Sequence, residues 1–298
     1  MNEHGESLGQ PHFWPAPGKL NLFLHVVGRR SDGYHLLQTA FQFIDLCDEI
    51  RFWARPAGVI ERLGDVPGVA PADDLTVRAA RWLAERAPSG VGVAIEVRKI
   101  LPMQGGVGGG SSDAATALVA LNQLWGLGHS IDDLAEGGLR LGADVPVFVR
   151  QRAAWAEGVG ERLTAAEFPQ AVYLLVQPAA AVATAEIFKA PELTRDSPVI
   201  TIRGFLTTGG RNDCEPVVRR RYPAVAEALD WVGQFAAARL TGTGSCVFAV
   251  MPDVEAAQAA LARLPGGWRG WVVRGLNRSP LEARLQREHR GCGADGGD

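Results

Sequence analysis

The feature that most constrains this chain is a glycine-dense segment, Pro102-Met103-Gln104-Gly105-Gly106-Val107-Gly108-Gly109-Gly110-Ser111-Ser112. Residues 91–97 before it alternate as a strand does, and residues 111–124 after it have the apolar spacing of a helix. Backbone without side chains can wrap closely around a ligand, and the first N–H groups and the dipole of the helix then face an anion. The segment therefore predicts a phosphate-binding loop. A flexible linker is the alternative, but linkers seldom lie between a strand and a helix.

Other phosphate-binding loops can be compared directly with this segment. The Walker pattern requires Gly-Lys-Ser/Thr, and the loop contains no lysine. The dinucleotide pattern G-x-G-x-x-G/A fails because Ser111 stands in its sixth position, counted from Gly106. The H-R-D and D-F-G motifs of protein kinases do not occur in the chain. Ser111 and Ser112 are expected to cap the helix, to offer hydroxyl donors, or to reach a bound Mg²⁺.

Length, charge and cysteine spacing exclude several classes of protein. A chain of 298 residues that is 47% hydrophobic can bury a large core and favours two domains. A net charge of -3 provides no basic surface for a nucleic acid, and no apolar run reaches about 18 residues, so we expect neither nucleic-acid nor membrane partners. The polar N-terminus does not resemble a signal peptide. The four cysteines lack C-x-x-C spacing, which argues against a zinc cage or a disulfide framework and favours the cytoplasm.

Hydrophobic periodicity predicts both strands and helices in the first half of the chain, and a shift in composition near residues 150–160 indicates a domain boundary. Strands are predicted at residues 19–27, 41–52 and 91–97, and residues 145–149 are predicted as a short buried strand. Helices are predicted at residues 73–87, with Asp73 or Asp74 as N-cap, 111–124 and 131–141. Beyond the boundary, a strand at 172–177 and helices at 223–238 and 254–264 are predicted. We therefore expect domains at residues 10–160 and 161–285, and a disordered tail at residues 286–298.

Three segments resemble, in order, the three motifs of the galactokinase, homoserine kinase, mevalonate kinase and phosphomevalonate kinase (GHMP kinase) superfamily. They are Pro15-Ala16-Pro17-Gly18-Lys19-Leu20-Asn21-Leu22, the glycine-dense segment, and Leu240-Thr241-Gly242-Thr243-Gly244-Ser245-Cys246. Further segments look like those of the diphosphocytidyl-methylerythritol kinases within it: Arg30 to His35, Leu141 to Phe148, Ala156 to Glu161, Ile187 to Lys189, and Asn212 to Glu215. The resemblance spans roughly residues 13–281.

This resemblance implies a two-domain α+β GHMP kinase fold with the active site in the interdomain cleft. It implies transfer of the γ-phosphoryl group of ATP to the 2-hydroxyl of 4-diphosphocytidyl-2-C-methyl-D-erythritol, a step of non-mevalonate (MEP pathway) isoprenoid biosynthesis. ATP and Mg²⁺ are the implied cofactors, although the sequence does not identify the metal ligands. A monomer or a homodimer is expected.

Two residues match the family's catalytic pair. The proton of an alcohol is too tightly held at neutral pH for the oxygen to be a good nucleophile, so a carboxylate beside it is the expected general base, and Asp144 matches that position. Lys19 matches the family's lysine, whose charge favours the ionised carboxylate and stabilises the phosphoryl group. The alternatives are a turn or capping aspartate and a lysine at a strand end. Lysine occurs only at positions 19, 99 and 189, so a functional role for Lys19 is favoured.

The resemblance also places the nucleotide at the glycine-dense loop. The implied nucleotide-binding residues are Lys99, Pro102, Met103, Gln104, Gly105, Gly106, Val107, Gly108, Gly109, Gly110, Ser111 and Ser112. A surface ion pair is the alternative for Lys99. Two positions depart from the family pattern: Asp113 stands where asparagine is usual, and Gln104 where a third glycine is common. A carboxylate at position 113 would repel phosphates unless it binds Mg²⁺ or points away.

Recognition of cytosine requires flat surfaces and a directional hydrogen-bond partner. Tyr34 and Phe188 match the family's stacking residues, and His35 matches its contact at the edge of the base. Asn21 is expected at the polyol hydroxyls, and Thr184 is a further implied substrate residue. An amphipathic turn on the domain edge is the alternative for Tyr34 and His35. The competing functions are a kinase of the same superfamily that acts on homoserine or mevalonate, and a catalytically silent sensor of a cytidine nucleotide.

Overall fold

The computed structural model describes residues 7–8, 13–88 and 90–292. Strands and helices alternate throughout this part of the chain. Its strands are β1 (Trp14–Arg29), β2 (His35–Ala54), β3 (Ile60–Leu63), β4 (Val93–Arg98), β5 (Ala154–Gly158), β6 (Arg162–Ala165), β7 (Val172–Gln177), β8 (Ala238–Leu240), β9 (Val247–Met251) and β10 (Arg269–Leu276). Its helices are α1 (Leu75–Ala84), α2 (Gly109–Leu124), α3 (Ile131–Leu139), α4 (Val145–Arg150), α5 (Thr184–Lys189), α6 (Ile202–Thr208), α7 (Glu215–Arg221), α8 (Pro223–Val232), α9 (Val254–Leu261) and α10 (Pro280–Cys292).

The long strand β2 organises the sheet. It pairs antiparallel with β1, β4 and β5, and its residues Phe43 and Ile44 pair with the end of β10. β10 in turn pairs with β7, which continues through β9 to β8. The strands of the two halves therefore join in a single sheet, with β10 as the link between them.

Helices α1 to α4 cover the N-terminal part of this sheet. Helix α2 is buried from Ser112 to Leu121, because its many alanines allow close approach on every side. Asp74 caps α1 by accepting a hydrogen bond from the Thr76 N–H, as predicted, and Ser130 and Asp133 form a capping box at α3. A second set of helices, α5 and α7 to α9, packs with strands β7 to β9 around a separate core, whereas Phe205 of α6 packs in a third core.

The prediction of a strand at residues 145–149 is wrong. These residues form helix α4, with Pro146 in its first turn, where the missing N–H costs no hydrogen bond. A short apolar run does not distinguish a buried strand from a buried helix. Here the run is buried on all sides because α4 packs against α2 and α3.

Two further boundaries differ from the predictions. Helix α2 begins at Gly109, with Gly108 at its N-cap in a left-handed conformation, and no side chain caps it. Ser111 and Ser112 therefore lie inside the first turn and do not cap the helix. At the C-terminus, α10 continues to Cys292 through part of the predicted disordered tail; residues 293–298 lie outside the described residues. Leu281 of α10 packs in the core of the N-terminal half, which explains why the helix persists. Among the residues described, no helix has the length and apolar character needed to cross a membrane.

Candidate active site

The three sequence motifs meet at the start of α2. The backbone N–H of Lys19 on β1 donates to the Val107 carbonyl at 3.0 Å, which ties the first motif to the glycine loop. Ser245 and Cys246 of the third motif donate their backbone N–H groups to Gln104 and Gly105 at 3.2 and 3.1 Å. The Thr241 hydroxyl also donates to the Gly106 carbonyl at 3.2 Å. The glycine loop is therefore held from both sides by residues that are distant in sequence.

Glycine is required in this loop for both conformation and space. Gly106 and Gly108 have φ values of 75° and 74°, in the left-handed region. A Cβ on Gly106 would lie 2.2 Å from the Thr241 carbonyl oxygen, and one on Gly108 would lie 2.8 Å from the Phe148 ring. Gln104 has a φ of 52° and occupies the left-handed region without being glycine.

Two cavities flank the loop. The larger has a volume of about 750 Å³ and is lined by Lys19, Asp144 and the residues of the predicted cytosine site. The smaller has a volume of about 590 Å³, with apolar walls that include Val69, Leu75 and Val97 and with the glycine loop at one end. Both are lined by the same four residues, which are Gly106, Gly108, Ser111 and Thr184. Two ligands in these cavities would therefore meet at the tip of α2.

Lys19 and Asp144 lie together at this junction, as predicted. The Lys19 ammonium is 3.4 Å from Asp144 Oδ2, and the Lys19 side chain is 4% exposed while that of Asp144 is 33% exposed. The ammonium also donates to the Gly106 carbonyl at 3.0 Å and to Asn21 Oδ1 at 2.5 Å. Asp144 precedes α4 but makes no capping hydrogen bond, so its carboxylate is available to the cavity.

The predicted cytosine-binding residues gather at the far end of the larger cavity. The rings of His35 and Phe188 lie 5.2 Å apart at an angle of 30°, and Tyr34 is 65% exposed beside them. Arg195 donates from Nε to His35 Nε2 at 3.1 Å. Burial, then Arg195 and Arg29, lower the pKa of His35 below its ordinary value. At neutral pH His35 is therefore an uncharged imidazole.

Comparison with known proteins agrees with this geometry. Residues 74–152 match the family of GHMP kinases N terminal domains, and residues 201–269 match that of GHMP kinases C terminal domains. The chain is 57% identical over 94% of its length to a protein of Nitrosococcus oceani named 4-diphosphocytidyl-2-C-methyl-D-erythritol kinase, and it covers 99% of that protein. It is 58% identical over 93% of its length to the Halorhodospira halophila protein of the same name, of which it covers 97%. The chain belongs to the 4-diphosphocytidyl-2-C-methyl-D-erythritol kinase family of GHMP kinases.

Solved structures of GHMP kinases share this fold. A crystal structure of a 4-(cytidine 5'-diphospho)-2C-methyl-D-erythritol kinase aligns with a TM-score of 0.76 at 30% identity, covering 88% of this chain and 98% of that one. The Methanococcus jannaschii mevalonate kinase aligns with a TM-score of 0.67 at 16% identity, covering 89% and 99% of the two chains, which shows the shared fold alone. The expected α+β GHMP kinase fold is therefore confirmed.

One position that departs from the usual pattern of this kinase family, Asp113, belongs to a buried charge cluster. Its Oδ2 accepts from the Lys99 ammonium at 2.6 Å, and the same ammonium bonds Asp48 Oδ2. Asp48 Oδ1 also accepts the backbone N–H groups of Ile100 and Leu101, at 2.5 and 2.8 Å. Within the described residues, Asp113 has no such backbone donors, and its Oδ1 is buried without a partner.

The contacts within this cluster shift the pKa values of Asp113 and Lys99. Burial raises the pKa of Asp113 to about 8, because the nearby charge of Asp48 adds to the effect of burial and Lys99 offsets only part of it. Burial tends to lower the pKa of Lys99, but its two carboxylate partners outweigh that effect and raise it. Lys99 thus forms ion pairs, but these are buried and are not the surface ion pair of the alternative interpretation, and Lys99 also lines the smaller cavity. The contact of Lys99 with a nucleotide stays a prediction. The carboxyl group of Asp113 turns toward Lys99.

Asn21, Ser111 and Ser112 differ in their access to the two cavities. Asn21 lines the larger cavity, but its amide accepts from Lys19 and donates to Thr39 Oγ1 at 3.0 Å, so it positions the lysine; its contact with the polyol stays a prediction. Ser112 is fully buried, its hydroxyl has no hydrogen-bond partner among the described residues, and its contact with a nucleotide stays a prediction. Ser111 lines both cavities. Within the described part of the chain, no group of three or more His, Cys, Asp or Glu side chains is placed to hold a metal ion.

Several residues of the site carry no clear signal in the sequence. Asp48 lies in the middle of β2, where its charge interrupts an apolar pattern without indicating a partner. Arg195 lies in an irregular loop after α5 and has no periodic signal. Thr243 bonds the Thr184 hydroxyl at 2.9 Å and was visible only as a polar residue of the third motif. The predicted Thr184, the first residue of α5, lines both cavities.

Proposed function

We propose that this protein transfers the γ-phosphoryl group of ATP to the 2-hydroxyl of 4-diphosphocytidyl-2-C-methyl-D-erythritol. The observation that carries the proposal is the position of Lys19 and Asp144 at the junction of two cavities beside the glycine loop. The 57 and 58% identity to two proteins named for this activity supports the choice of substrate. The proposed pathway is non-mevalonate isoprenoid biosynthesis.

The smaller cavity suits ATP. Its apolar walls fit a flat base, and its glycine loop and the N-terminus of α2 offer backbone N–H groups to the phosphates. The γ-phosphoryl group would then reach the junction, where Lys19 supplies positive charge. Mg²⁺ bound with ATP would neutralise phosphate charge, and Ser111, which lines both cavities, would offer it a hydroxyl ligand.

The larger cavity suits the cytidyl substrate. Its far end holds Tyr34, His35 and Phe188, which offer ring faces and an imidazole to a pyrimidine. Its near end holds Asp144, which accepts the proton of the 2-hydroxyl as the oxygen attacks the γ-phosphorus. The bond between the γ-phosphorus and the bridging oxygen breaks, and ADP leaves. Lys19, fixed by Asn21 and the Gly106 carbonyl, keeps the carboxylate oriented through their ion pair.

ADP formation by the purified full chain with Mg²⁺ and ATP tests this proposal. We expect turnover with 4-diphosphocytidyl-2-C-methyl-D-erythritol and little or none with mevalonate or homoserine. Faster turnover of mevalonate or homoserine would contradict the choice of substrate. Tight binding of the cytidyl compound without any ADP formation would instead favour a sensor of cytidine nucleotides.

A further inference from the structure

Arg195 connects the two rings at the far end of the larger cavity. Its side chain is half-buried and directs all of its N–H groups to acceptors within the fold. Nε donates to His35 Nε2 at 3.1 Å, Nη1 to the carbonyls of Leu193 at 2.9 Å and Pro191 at 3.4 Å, and Nη2 to those of Phe188 at 3.1 Å and Ala190 at 2.6 Å. One planar guanidinium thus holds the imidazole of His35 and the backbone of Phe188 in a fixed relation.

The bond from Arg195 determines which nitrogen of His35 carries hydrogen. A guanidinium only donates hydrogen bonds, so His35 Nε2 must be the unprotonated, accepting nitrogen. A neutral imidazole has one N–H group, which must then be on Nδ1. Among the described residues, no group accepts a hydrogen bond from Nδ1, and Nδ1 is not a buried atom without a partner. The Nδ1–H group is therefore available to a ligand.

A fixed donor at this point distinguishes between pyrimidines. The N3 atom of cytosine is an unprotonated acceptor. N3 of uracil carries hydrogen, so its N–H group would face the Nδ1–H group of His35, and two donors cannot form a hydrogen bond. Histidine that is free to change tautomer can present either a donor or an acceptor, and it would lose this distinction. Discrimination therefore depends on the group that fixes the tautomer as well as on His35.

We propose that Arg195 is a positioning residue that fixes His35 as an Nδ1–H donor to the unprotonated ring nitrogen of cytosine, and so makes the site reject uracil. This inference rests on the proposed function, because it takes the larger cavity as the cytidyl site. The carbonyl bonds of Arg195 have a second effect, since they hold Phe188 at its distance of 5.2 Å from His35. Arg195 touches no reacting atom.

The tautomer of His35 can be measured directly in the full chain labelled with ¹⁵N-histidine. Long-range ¹H–¹⁵N correlation spectra should show His35 with hydrogen on Nδ1, and the His35 signals are assigned by their loss in His35→Asn. In Arg195→Lys, which keeps the positive charge but lacks the fork of donors, we expect a mixture of tautomers. A wild-type His35 with hydrogen on Nε2 would overturn the inference.

Binding of cytidine diphosphate and of uridine diphosphate, measured by calorimetry, tests the consequence without requiring catalysis. We expect wild type to prefer the cytidine compound by about 10- to 100-fold and Arg195→Lys to lose most of that preference. Arg221→Lys is the matched control, because Arg221 anchors Glu192 of the same loop through two bonds of 2.8 and 3.0 Å without contacting His35. The control should retain the preference.

Kinetics separate failure of this inference from failure of the proposed function. Where wild type phosphorylates the cytidyl substrate, Arg195→Lys should raise its KM by about 10-fold or more and leave kcat and the KM for ATP nearly unchanged. Equal loss of affinity for both pyrimidines would make Arg195 a structural residue only, and the inference would fail while the proposed function stood. Absence of turnover with the cytidyl substrate, together with a cytidine preference that depends on Arg195, would refute the proposed function alone. No cytidine preference in wild type would overturn the inference.

Discussion

The ammonium of Lys19 lies 3.4 Å from the carboxylate of Asp144, at the meeting point of the two cavities. Lys19 comes from strand β1, and Asp144 comes from the turn before helix α4. The lysine is nearly fully buried and has fixed partners in Asn21 and the Gly106 carbonyl, whereas the carboxylate is open to the larger cavity. In this pair the fixed member is the cation, and the accessible member is the carboxylate that we propose as the base.

Replacing the base should therefore affect chemistry more than binding. We expect Asp144→Asn to lower kcat by about 10²- to 10⁴-fold, because the amide cannot accept the proton of the hydroxyl. The KM for ATP and calorimetric binding of an ATP analogue should change little. Asp132→Asn is the control, since Asp132 is an exposed aspartate paired with Arg150 on the surface. A parallel loss of ATP binding and turnover would make Asp144 a structural residue.

The glycine loop should tolerate a methyl group at one position and not at another. Gly108→Ala places a Cβ 2.8 Å from the Phe148 ring in a backbone with a φ of 74°, so we expect it to lower the free energy of unfolding by about 1–3 kcal/mol. Gly110→Ala meets no atom closer than 3.7 Å and should keep the wild-type unfolding midpoint. Denaturant unfolding of both variants measures the difference. Equal stabilities would show that the loop relaxes around the added group.

The buried cluster of Asp48, Lys99 and Asp113 should make stability depend on pH. The pKa of Asp113 is about 8 in the folded chain and near 3.8 when unfolded, so between these values the folded state binds more protons than the unfolded state. The stability that this group contributes is fully present below its unfolded pKa and is lost as the pH rises through about 8. The side chain of Asp113→Asn cannot titrate. Between pH 5 and 8 the free energy of unfolding of this variant should therefore fall less steeply than that of wild type, with a difference in slope of up to about 1.4 kcal/mol per pH unit. Parallel pH profiles for the two proteins would contradict this assignment.

Tyr34 should contribute to substrate capture without contributing to stability. Its side chain is 65% exposed at the edge of the larger cavity, so Tyr34→Ala removes little buried area. We expect the KM for the cytidyl substrate to rise by roughly 3- to 10-fold through loss of ring stacking, with an unchanged unfolding midpoint. Val199→Ala, which truncates a comparably exposed apolar residue outside both cavities, is the control. An unchanged KM for Tyr34→Ala would argue against stacking.

The sequence predicted the parts of the site that depend on local backbone. The strand, glycine loop and helix at residues 93–124 were visible because glycine and apolar spacing report local conformation. The roles of Asp48 and Arg195 could not be predicted, because Asp48 pairs with Lys99 and Arg195 pairs with His35, each a partner in a distant segment that only the fold brings close. The run at 145–149 was assigned to the wrong type of element because burial on all sides gives strands and helices the same pattern. The predicted domain boundary near residue 160 stays a prediction.

Strand β10 and helix α10 link the two halves of this chain. β10 pairs with both β2 and β7, and α10 returns to the N-terminal half, where Arg284 stacks over Trp14 with its guanidinium carbon 4.2 Å from the ring centre. A fragment that ended before β10 would leave Trp14 uncovered and part of β2 without a neighbour. The two halves therefore cannot be separated by a single cut, and the polypeptide completes the core of its N-terminal half only when β10 and α10 have been synthesised.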